Sequence, residues 1–231
     1  MGNYYKTTPW IIPSAFRQLE DLFTQHGKSF SFSKGDIIAG PLVSGEKIRL
    51  NQMIYLESGL LSQCFITHNP NKPKAMSLVL PSRVINYTGY MGFDTSSENL
   101  IALRNSQVYT MDIEAVRESA KKLGFEEQLK SYCMKCIASD FDAFTCMFTC
   151  ETEKRLGFFF QSLIDSLSCN KDSDWALIPI KLSYGEISSV MYTTKKTIER
   201  IIPDWKQRGI IIFEDDSIKI NIRSLQQILR Q

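Results

Sequence analysis

The hydrophobic periodicity of the chain changes near residue 112, and this change limits the architectures that the chain can form. From residue 29 to about residue 112, short runs rich in β-branched and aromatic residues alternate apolar and polar side chains. These runs are Phe30–Phe32, Met53–Leu56, Leu60–Thr67, Met76–Leu80, Leu100–Leu103 and Gln107–Met111. The turn sequences between them are Lys34-Gly35-Asp36, Ser44-Gly45-Glu46, Glu57-Ser58-Gly59 and Asn69-Pro70-Asn71. Many short strands with regular turns predict a β-barrel or a double-sheet roll.

Helical periodicity lies on both sides of this segment. Apolar residues three and four apart predict a short amphipathic helix over residues 13–23 and one long helix over residues 113–150. The apolar stripe of the long helix includes Leu129, Cys133, Cys136 and Phe144. So long a stripe predicts that the helix pairs with a second copy of the chain, although a helix buried on its own barrel is the alternative.

Asp140 projects onto the same apolar stripe. A buried carboxylate that faces its symmetry mate is costly unless it is protonated or hydrogen-bonded. Asp140 is therefore expected either to tune the pairing of two helices or to be displaced from their seam.

The C-terminal part of the chain has the features of a winged helix-turn-helix. Ser183-Tyr184-Gly185-Glu186 is a capping box that begins one helix, and Thr193 or Thr194 caps a second helix after a turn near Tyr192. The strands of the predicted wing are Ile210–Phe213 and Ile218–Ile222. Together, the helix, the turn, the second helix and the wing predict a module that binds double-stranded DNA.

The charge of the chain supports this prediction only locally. The formal net charge of +2 does not by itself indicate a nucleic-acid partner, but residues 193–208 contain five basic side chains and two acidic ones. A solvated helix face is the alternative.

Two residues of the predicted second helix and its turn are unusual. Tyr192 stands where the turn would favour glycine, and we expect a non-glycine residue in this left-handed conformation to have a modest energetic cost. Pro203 is expected to end or kink the second helix near Ile202, beyond the residues that would contact bases.

Other function classes are not expected. No apolar run approaches the roughly 18 residues of a membrane span, and the N-terminus lacks the pattern of a signal peptide, so a cytoplasmic location without a membrane partner is expected. Two histidines, no nucleophile–base pair and no phosphate loop argue against an enzyme. The six cysteines are expected to be free thiols, and Cys133 and Cys150 would lie roughly 25 Å apart on one helix, which excludes a four-cysteine metal site there. Neither a metal nor a cofactor is expected.

Several motifs resemble those of one family of transcription regulators. Phe32–Ile38 and Ile54–Gly59 look like that family's glycine-turn strands, Glu153–Leu156 is similar to its helix after the dimer helix, and Glu186–Ile211 resembles its helix-turn-helix signature. The family is that of the catabolite activator protein and the fumarate-nitrate regulators (CRP/FNR). The resemblance implies an α+β fold with a cupin-like barrel of the cyclic-nucleotide-binding type after an N-terminal arm, then a dimerisation helix and a winged helix-turn-helix domain. The corresponding ranges are residues 1–112, 113–150 and 151–231.

The resemblance implies a homodimeric transcriptional activator that binds palindromic promoter DNA and acts with RNA polymerase. Its DNA-contacting positions correspond to Thr194, Lys195, Lys196, Thr197, Glu199 and Arg200. Thr194 would contact phosphate, and Arg200 would meet guanine in the major groove, since its planar fork matches guanine O6 and N7. Lys196 departs from the family, which often has glutamate there, so a half-site unlike the family's usual one is expected.

The sensory half departs from the relatives that bind cyclic nucleotides. Residues 84–103 contain no arginine that could neutralise a cyclic phosphate, so such a ligand is not expected. The stretches Trp10–Pro13, Val84–Tyr87 and Tyr132–Lys135 resemble the halophenol-responsive regulators of reductive dehalogenation. That resemblance implies a small aromatic anion as effector, such as a halogenated phenol.

In those regulators a tyrosine and a lysine hold the phenol oxygen, at the positions of Tyr132 and Lys135 here. These two residues would both face the barrel, and Asn86, Tyr87 and Tyr90 would belong to the pocket loop. A surface lysine beside a packing tyrosine is the alternative. A regulator gated by oxidation of Cys133 or Cys136, without a small-molecule ligand, also remains open.

Overall fold

The computed structural model describes residues 5–40, 51–65, 74–93, 98–167, 169 and 174–230. The chain divides into two compact units, which we name the barrel unit (Ile12–Asp140) and the winged unit (Met1–Ile11 with Phe141–Gln231). The turns predicted at Ser44-Gly45-Glu46 and Asn69-Pro70-Asn71 lie outside the described residues, as does the end of the predicted run Leu60–Thr67. Within the described ranges, no helix is both long enough and apolar enough to cross a membrane.

The barrel unit contains two four-stranded antiparallel sheets. The strands are β1 Lys28–Phe32, β2 Ile37–Ala39, β3 Gln52–Ser58, β4 Leu61–Phe65, β5 Lys74–Val79, β6 Arg83–Ile85, β7 Glu98–Ala102 and β8 Ser106–Asp112. One sheet has the order β1-β8-β3-β6 and the other β2-β7-β4-β5. The prediction of a double-sheet roll is therefore confirmed. The three-residue strands β2 and β6 were not among the predicted runs, because such short segments show no alternation.

The strand order places one polar residue at the centre of the second sheet. Strand β4 lies between β5 and β7, so Gln63 pairs with Ser77 on one side and with Leu100 on the other. Glu98, at the start of β7, lies two residues from Leu100 and therefore on the same face of the sheet. The antiparallel pairing thus brings together polar side chains that are far apart in sequence.

The segment predicted as one helix over residues 113–150 contains two helices. They are α3 Ile113–Lys122 and α4 Glu126–Thr149, after α1 Arg17–His26 and α2 Tyr87–Tyr90. Gly124 lies between α3 and α4 with φ 75°, a left-handed conformation that glycine adopts at little cost and that commonly ends a helix. The prediction of a single helix overlooked this glycine.

The winged unit contains the helices and strands of a winged helix-turn-helix. Its elements are α5 Thr152–Ser166, β9 Trp175–Ile178, α6 Tyr184–Val190, α7 Lys195–Gln207, β10 Ile211–Phe213, β11 Ile218–Asn221 and α8 Ile222–Arg230. The three strands form one antiparallel sheet in the order β10-β11-β9. This arrangement confirms the predicted wing and adds a third strand and a final helix.

The N-terminal arm belongs to the winged unit rather than to the barrel, unlike in the sequence-based division at residue 112. The ring of Tyr5 packs edge-on against Phe158 at 5.0 Å, and the Trp10 ring lies 6.4 Å from Phe159. Both phenylalanines lie on α5. Aromatic packing against a helix distant in sequence therefore places this arm, and periodicity in the arm itself could not reveal it.

Helix α7 packs one face into the core of the winged unit. Ile198, Ile201, Ile202 and Trp205 are buried at the spacing of an amphipathic helix. Pro203 lies inside α7, and the helix continues to Gln207, so of the two predicted outcomes, an end or a kink near Ile202, the first is wrong. Proline removes one N–H donor, but the buried residues on either side of Pro203 hold the last turn on the core.

Candidate nucleic-acid interface and effector cavity

The helix-turn-helix begins with the predicted capping box. Ser183 Oγ accepts a hydrogen bond from the Glu186 amide at 3.2 Å, and the Glu186 carboxylate accepts one from the Ser183 amide at 2.7 Å. Tyr192 lies in the turn with φ 51°, so this non-glycine residue adopts the left-handed conformation that was expected there. Thr194 is the N-cap of α7, because its hydroxyl accepts from the Thr197 amide at 3.2 Å. The structure thus selects Thr194 over Thr193.

The first two turns of α7 present a basic face opposite the buried one. Lys195, Lys196 and Arg200 are exposed together with Thr194 and Glu199, and Thr197 is half-buried. Lys195 Nζ lies 3.3 Å from Glu199 Oε1 in an exposed pair, which is worth only a few tenths of a kcal/mol on a helix surface. The N-terminal end of a helix also carries a partial positive charge. This face is therefore suited to a polyanion.

Glu153 of α5 holds the other end of α7. Its carboxylate oxygen Oε1 accepts hydrogen bonds from Trp205 Nε1 and from Arg208 Nη1, each at 2.9 Å. Arg208 also donates to Asp204 at 2.9 Å. The sequence indicates Glu153 only as part of a motif, because its partners Trp205 and Arg208 lie more than fifty residues away in the chain.

The barrel unit contains a cavity with about 390 Å³ of empty space, including its open mouth. The apolar residues that line it are Ala39, Ile54, Ile85 and Leu100, and the polar ones are Gln52, Gln63, Asn86, Glu98 and Asn99. Glu98 carries the only charged side chain among these described lining residues. The mouth of the cavity opens to solvent, and its lining offers an apolar wall and a polar end to a small organic molecule.

Of the residues predicted to bind an effector, Asn86 lines this cavity. It has φ 64° and caps α2, where its Oδ1 accepts from the Gly89 amide at 3.2 Å. Its Nδ2 donates to the Gln52 carbonyl at 2.8 Å. Asparagine tolerates the left-handed conformation better than most residues. These bonds hold Asn86 firmly at the cavity wall.

Two polar residues that sequence analysis missed form the hydrophilic end of the cavity. Gln63 Nε2 donates to Glu98 Oε2 at 2.7 Å, and Gln63 Oε1 accepts from Ser77 Oγ at 3.1 Å. The Tyr87 hydroxyl lies 3.3 Å from the same Gln63 oxygen. Burial raises the pKa of the Glu98 carboxyl, and the hydrogen bond from Gln63 opposes this shift. Only the β4–β5 and β4–β7 pairings bring these groups together.

Tyr87 links this polar cluster to α4, because its hydroxyl also donates to Asp140 Oδ2. Burial raises the pKa of Asp140 to about 7, the Tyr87 hydrogen bond opposes the shift, and the negative charge of Glu98 adds to it. Asp140 Oδ1 is buried and has no hydrogen-bond partner among the described residues. Asp140 therefore faces the barrel of its own unit and is buried there.

The remaining residues predicted to bind an effector do not line the cavity. The Tyr132 hydroxyl is buried, where it accepts from the Val84 amide and donates to the Val84 carbonyl, both at 2.9 Å. Lys135 is exposed, so the expectation that both side chains face the barrel is wrong for Lys135. The Tyr90 ring is buried with the Arg117 guanidinium 5.1 Å from its centre.

The apolar stripe predicted for pairing is largely buried within the barrel unit. Leu129, Cys133 and Cys136 belong to the hydrophobic core of that unit. The prediction that these residues, with Asp140, form a pairing surface was therefore wrong, because their own barrel covers them. Phe144 is half-buried and remains partly accessible.

A different side of α4 is exposed and apolar. Met134 is 53% exposed, Phe141 70% and Phe148 87%. These three residues are seven apart in sequence, and half-buried Ile137 and Phe144 lie three residues after the first two of them. A heptad spacing of this kind is typical of helices that pair in a coiled coil.

The cysteines of α4 are poorly placed for redox chemistry. Cys133 is fully buried, and burial raises the pKa of its thiol to about 12. Burial also raises the pKa of Cys136 well above its ordinary value. Because the thiolate is the reactive form, both side chains are expected to be inert. Among the described residues, no three His, Cys, Asp or Glu side chains form a group that could hold a metal ion.

Comparison with known proteins identifies the fold. No protein-family model matches the chain, and no curated protein matches it in sequence. The solved structure of OCPA-complexed CprK is 18% identical, with a TM-score of 0.66 over 98% of this chain and 100% of that one. FixK2 from Bradyrhizobium japonicum is 13% identical, with a TM-score of 0.70 over 87% of this chain and 96% of that one.

A third solved structure, a CRP-family transcriptional regulator from Thermus thermophilus, is also 13% identical. Its TM-score is 0.66, and the match covers 87% of this chain and 97% of that one. The chain therefore has the fold of CRP/FNR regulators over nearly its whole length.

Proposed function

We propose that the chain is a transcriptional regulator that binds promoter DNA as a homodimer and responds to a small molecule. The observation that carries this proposal is the first half of α7. There, Thr194, Lys195, Lys196 and Arg200 are exposed on a helix whose opposite face is buried. A recognition helix needs this arrangement, because its N-terminal residues reach base edges while the rest of the helix stays on its own core.

In this proposal the residues of α7 have different tasks. Thr194 and the nearby lysines contact phosphates, which supply affinity without sequence information. Arg200 reads guanine, because a planar guanidinium can bond to O6 and N7 together. Lys196 offers a donor where the resembling family often has an acceptor, so the half-site should differ from that family's usual one.

Substitution of Arg200 tests the reading role. Arg200→Ala should lower the preference for the selected sequence about ten- to a hundredfold, since one bidentate base contact is worth roughly 1–3 kcal/mol of discrimination. Lys206→Ala, at an exposed lysine near the other end of α7, should instead weaken binding to all sequences similarly. The measurement is selection from a random DNA library, followed by titration of the selected site and a scrambled one at fixed salt. Equal losses on both DNAs for Arg200→Ala would refute the base-reading role.

The homodimer in this proposal pairs through the exposed side of α4. Met134, Phe141 and Phe148 would meet their counterparts in a second copy, with Ile137 and Phe144 at the edges of the seam. A twofold dimer presents two recognition helices to half-sites about 34 Å apart, which matches palindromic DNA. As an activator, the dimer would also contact RNA polymerase, as the resemblance to CRP/FNR activators implies.

The effector in this proposal binds in the barrel cavity. CprK, one of the solved structures with this fold, is complexed with OCPA, which supports a ligand-responsive role for this chain. The aromatic anion implied by the halophenol-responsive regulators would need a cationic partner. Lys135, the lysine that the resemblance assigns to this role, is exposed, and the Tyr132 hydroxyl already bonds to the backbone. A ligand can act only by binding the DNA-competent state more tightly than the other state.

A further inference from the structure

We propose that the effector cavity binds a small organic cation, whose ammonium group pairs with Glu98 and whose apolar part packs on Ile54, Ile85 and Leu100. This inference rests on the proposed function only in taking the cavity as the effector site. It names the chemical class of the ligand and differs from the aromatic anion expected by resemblance.

The charge of the cavity wall is the first argument. Glu98 is the one ionisable side chain among the described lining residues, and the other polar groups are neutral amides. An anion would enter beside this carboxylate without a described cation to balance it, and like charges at close range repel strongly where water is scarce. A cation would instead find an opposite charge.

The orientation of Gln63 is the second argument. Its amide oxygen faces two hydroxyl groups, Ser77 Oγ at 3.1 Å and Tyr87 at 3.3 Å, so its NH₂ group points to Glu98. This NH₂ group donates to one Glu98 oxygen, Oε2, at 2.7 Å. The other oxygen, Oε1, accepts no hydrogen bond from the described residues and is available to a donor on the ligand. Burial raises the pKa of Glu98, and the hydrogen bond from Gln63 opposes this shift by favouring the ionised carboxylate, the form that pairs with a cation.

The apolar part of the lining is the third argument. Ile54 of β3, Ile85 of β6 and Leu100 of β7 line the same cavity as Glu98. Burial of a short hydrocarbon chain or a ring against these residues removes apolar surface from water and so favours binding. The lining therefore fits an amine with a hydrophobic body rather than a strongly hydrated metal ion or a bare ammonium ion.

Isothermal titration calorimetry with matched probes tests the inference on the full chain without DNA. The probes are 2-phenylethylamine, 2-phenylethanol and phenylacetate, and then butylamine, butanol and butyrate. The amine of each set should bind at least tenfold more tightly than its alcohol, because a hydrogen bond between charged groups is stronger than one to a neutral hydroxyl. Equal binding of amine and alcohol, stronger binding of the acid, or no binding of any probe would overturn the inference.

Substitution of the carboxylate locates the site. Glu98→Gln should lower amine affinity about tenfold or more and leave alcohol affinity nearly unchanged, whereas Glu98→Asp should keep the preference for the amine over the alcohol. Glu57→Gln is the matched control, since Glu57 is an exposed carboxylate on β3 outside the cavity lining. Full amine preference in Glu98→Gln would refute the pairing.

The two proposals can fail separately. A chain that selects DNA but prefers the acid probe loses only the ligand assignment, and a chain that binds amines without selecting DNA loses only the regulatory function. If Glu98→Gln does not fold, as judged by circular dichroism, the comparison of amine and alcohol on the unmodified chain still decides the ligand class.

Discussion

At the residue scale, Tyr87 carries the connection between the cavity and α4. Its hydroxyl has a single proton and two acceptors, Gln63 Oε1 and Asp140 Oδ2. While Asp140 is ionised, the carboxylate competes for this proton. Once Asp140 is protonated, its own O–H can donate to Tyr87, and the Tyr87 proton becomes available to Gln63. The protonation of Asp140 therefore changes the hydrogen bonding of the residue that positions Glu98.

The raised pKa of Asp140 predicts how the stability of the barrel unit depends on pH. The folded chain holds the Asp140 proton up to about pH 7, whereas the unfolded chain releases it near the ordinary pKa of aspartate, about 4. Between these values the folded state binds more protons, so stability falls as pH rises, by at most about 1.4 kcal/mol per pH unit from this group. Below about pH 4 its contribution no longer changes.

Asp140→Asn should remove this dependence, because the amide does not titrate in this range. Urea unfolding at pH 5, 6, 7 and 8 measures it, and the slope between pH 5 and pH 7 should become shallower in the variant. Asp21→Asn provides the control, since Asp21 is an exposed carboxylate on α1 and should leave the slope unchanged. Equal slopes in the unmodified chain and in Asp140→Asn would contradict the raised pKa.

At the element scale, α7 shows how tertiary packing overrides a local signal. Pro203 lacks the N–H that would donate to the Glu199 carbonyl, yet the helix continues for another turn. Trp205 holds this turn through its buried ring and its hydrogen bond to Glu153. The proline therefore weakens α7 locally at a point beyond Lys195, Lys196 and Arg200.

Pro203→Ala should stabilise the chain by roughly 1–2 kcal/mol. Alanine restores one helical hydrogen bond, and a proline inside a helix costs about 3 kcal/mol relative to alanine. Part of this gain is lost because proline lowers the conformational entropy of the unfolded chain more than alanine does. Thermal unfolding followed by circular dichroism measures this change. DNA preference should stay the same, since Pro203 is past Arg200. A lower melting temperature in Pro203→Ala would show that the proline fits this helix better than alanine does.

Helix α4 is the second element whose sequence was ambiguous. Apolar residues occur on two of its sides, one with Leu129, Cys133 and Cys136 and the other with Met134, Phe141 and Phe148. Periodicity identifies the helix but does not say which side meets the barrel. The barrel covers the first side, and only this packing leaves the second side exposed.

At the scale of the whole molecule, the proposed homodimer pairs through the exposed side of α4. Burial of a phenylalanine side chain contributes about 1.5–3 kcal/mol, and each copy would bury both Phe141 and Phe148. Phe148→Asp should therefore raise the dimer dissociation constant at least a hundredfold, since it also places two like charges across the seam.

Analytical ultracentrifugation over a range of concentrations measures this constant. Leu123→Asp is the matched control, because Leu123 is also an exposed apolar residue but lies before α4. Dissociation constants that change equally in both variants would argue against a seam along α4.

Patterns among neighbouring residues were sufficient to predict the order of the structural elements along the chain. Alternating residues, glycine turns and a capping box predicted the double-sheet roll, the helix-turn-helix and its wing, because these features depend on neighbours in sequence. The exposed basic residues of α7 followed from the same periodicity, since Ile198, Ile201 and Ile202 leave Lys196 and Arg200 on the opposite face.

Contacts between distant residues could be found only in the folded chain. Glu98, Gln63, Tyr87 and Asp140 lie on four different elements, and no spacing in the sequence relates them. The pairing of β4 with β7 and the packing of α4 on the barrel bring them together. Periodicity indicates which face of an element is apolar, but the partner of that face depends on how the elements pack. The polar end of the cavity and the exposed side of α4 were therefore decided by the tertiary structure alone.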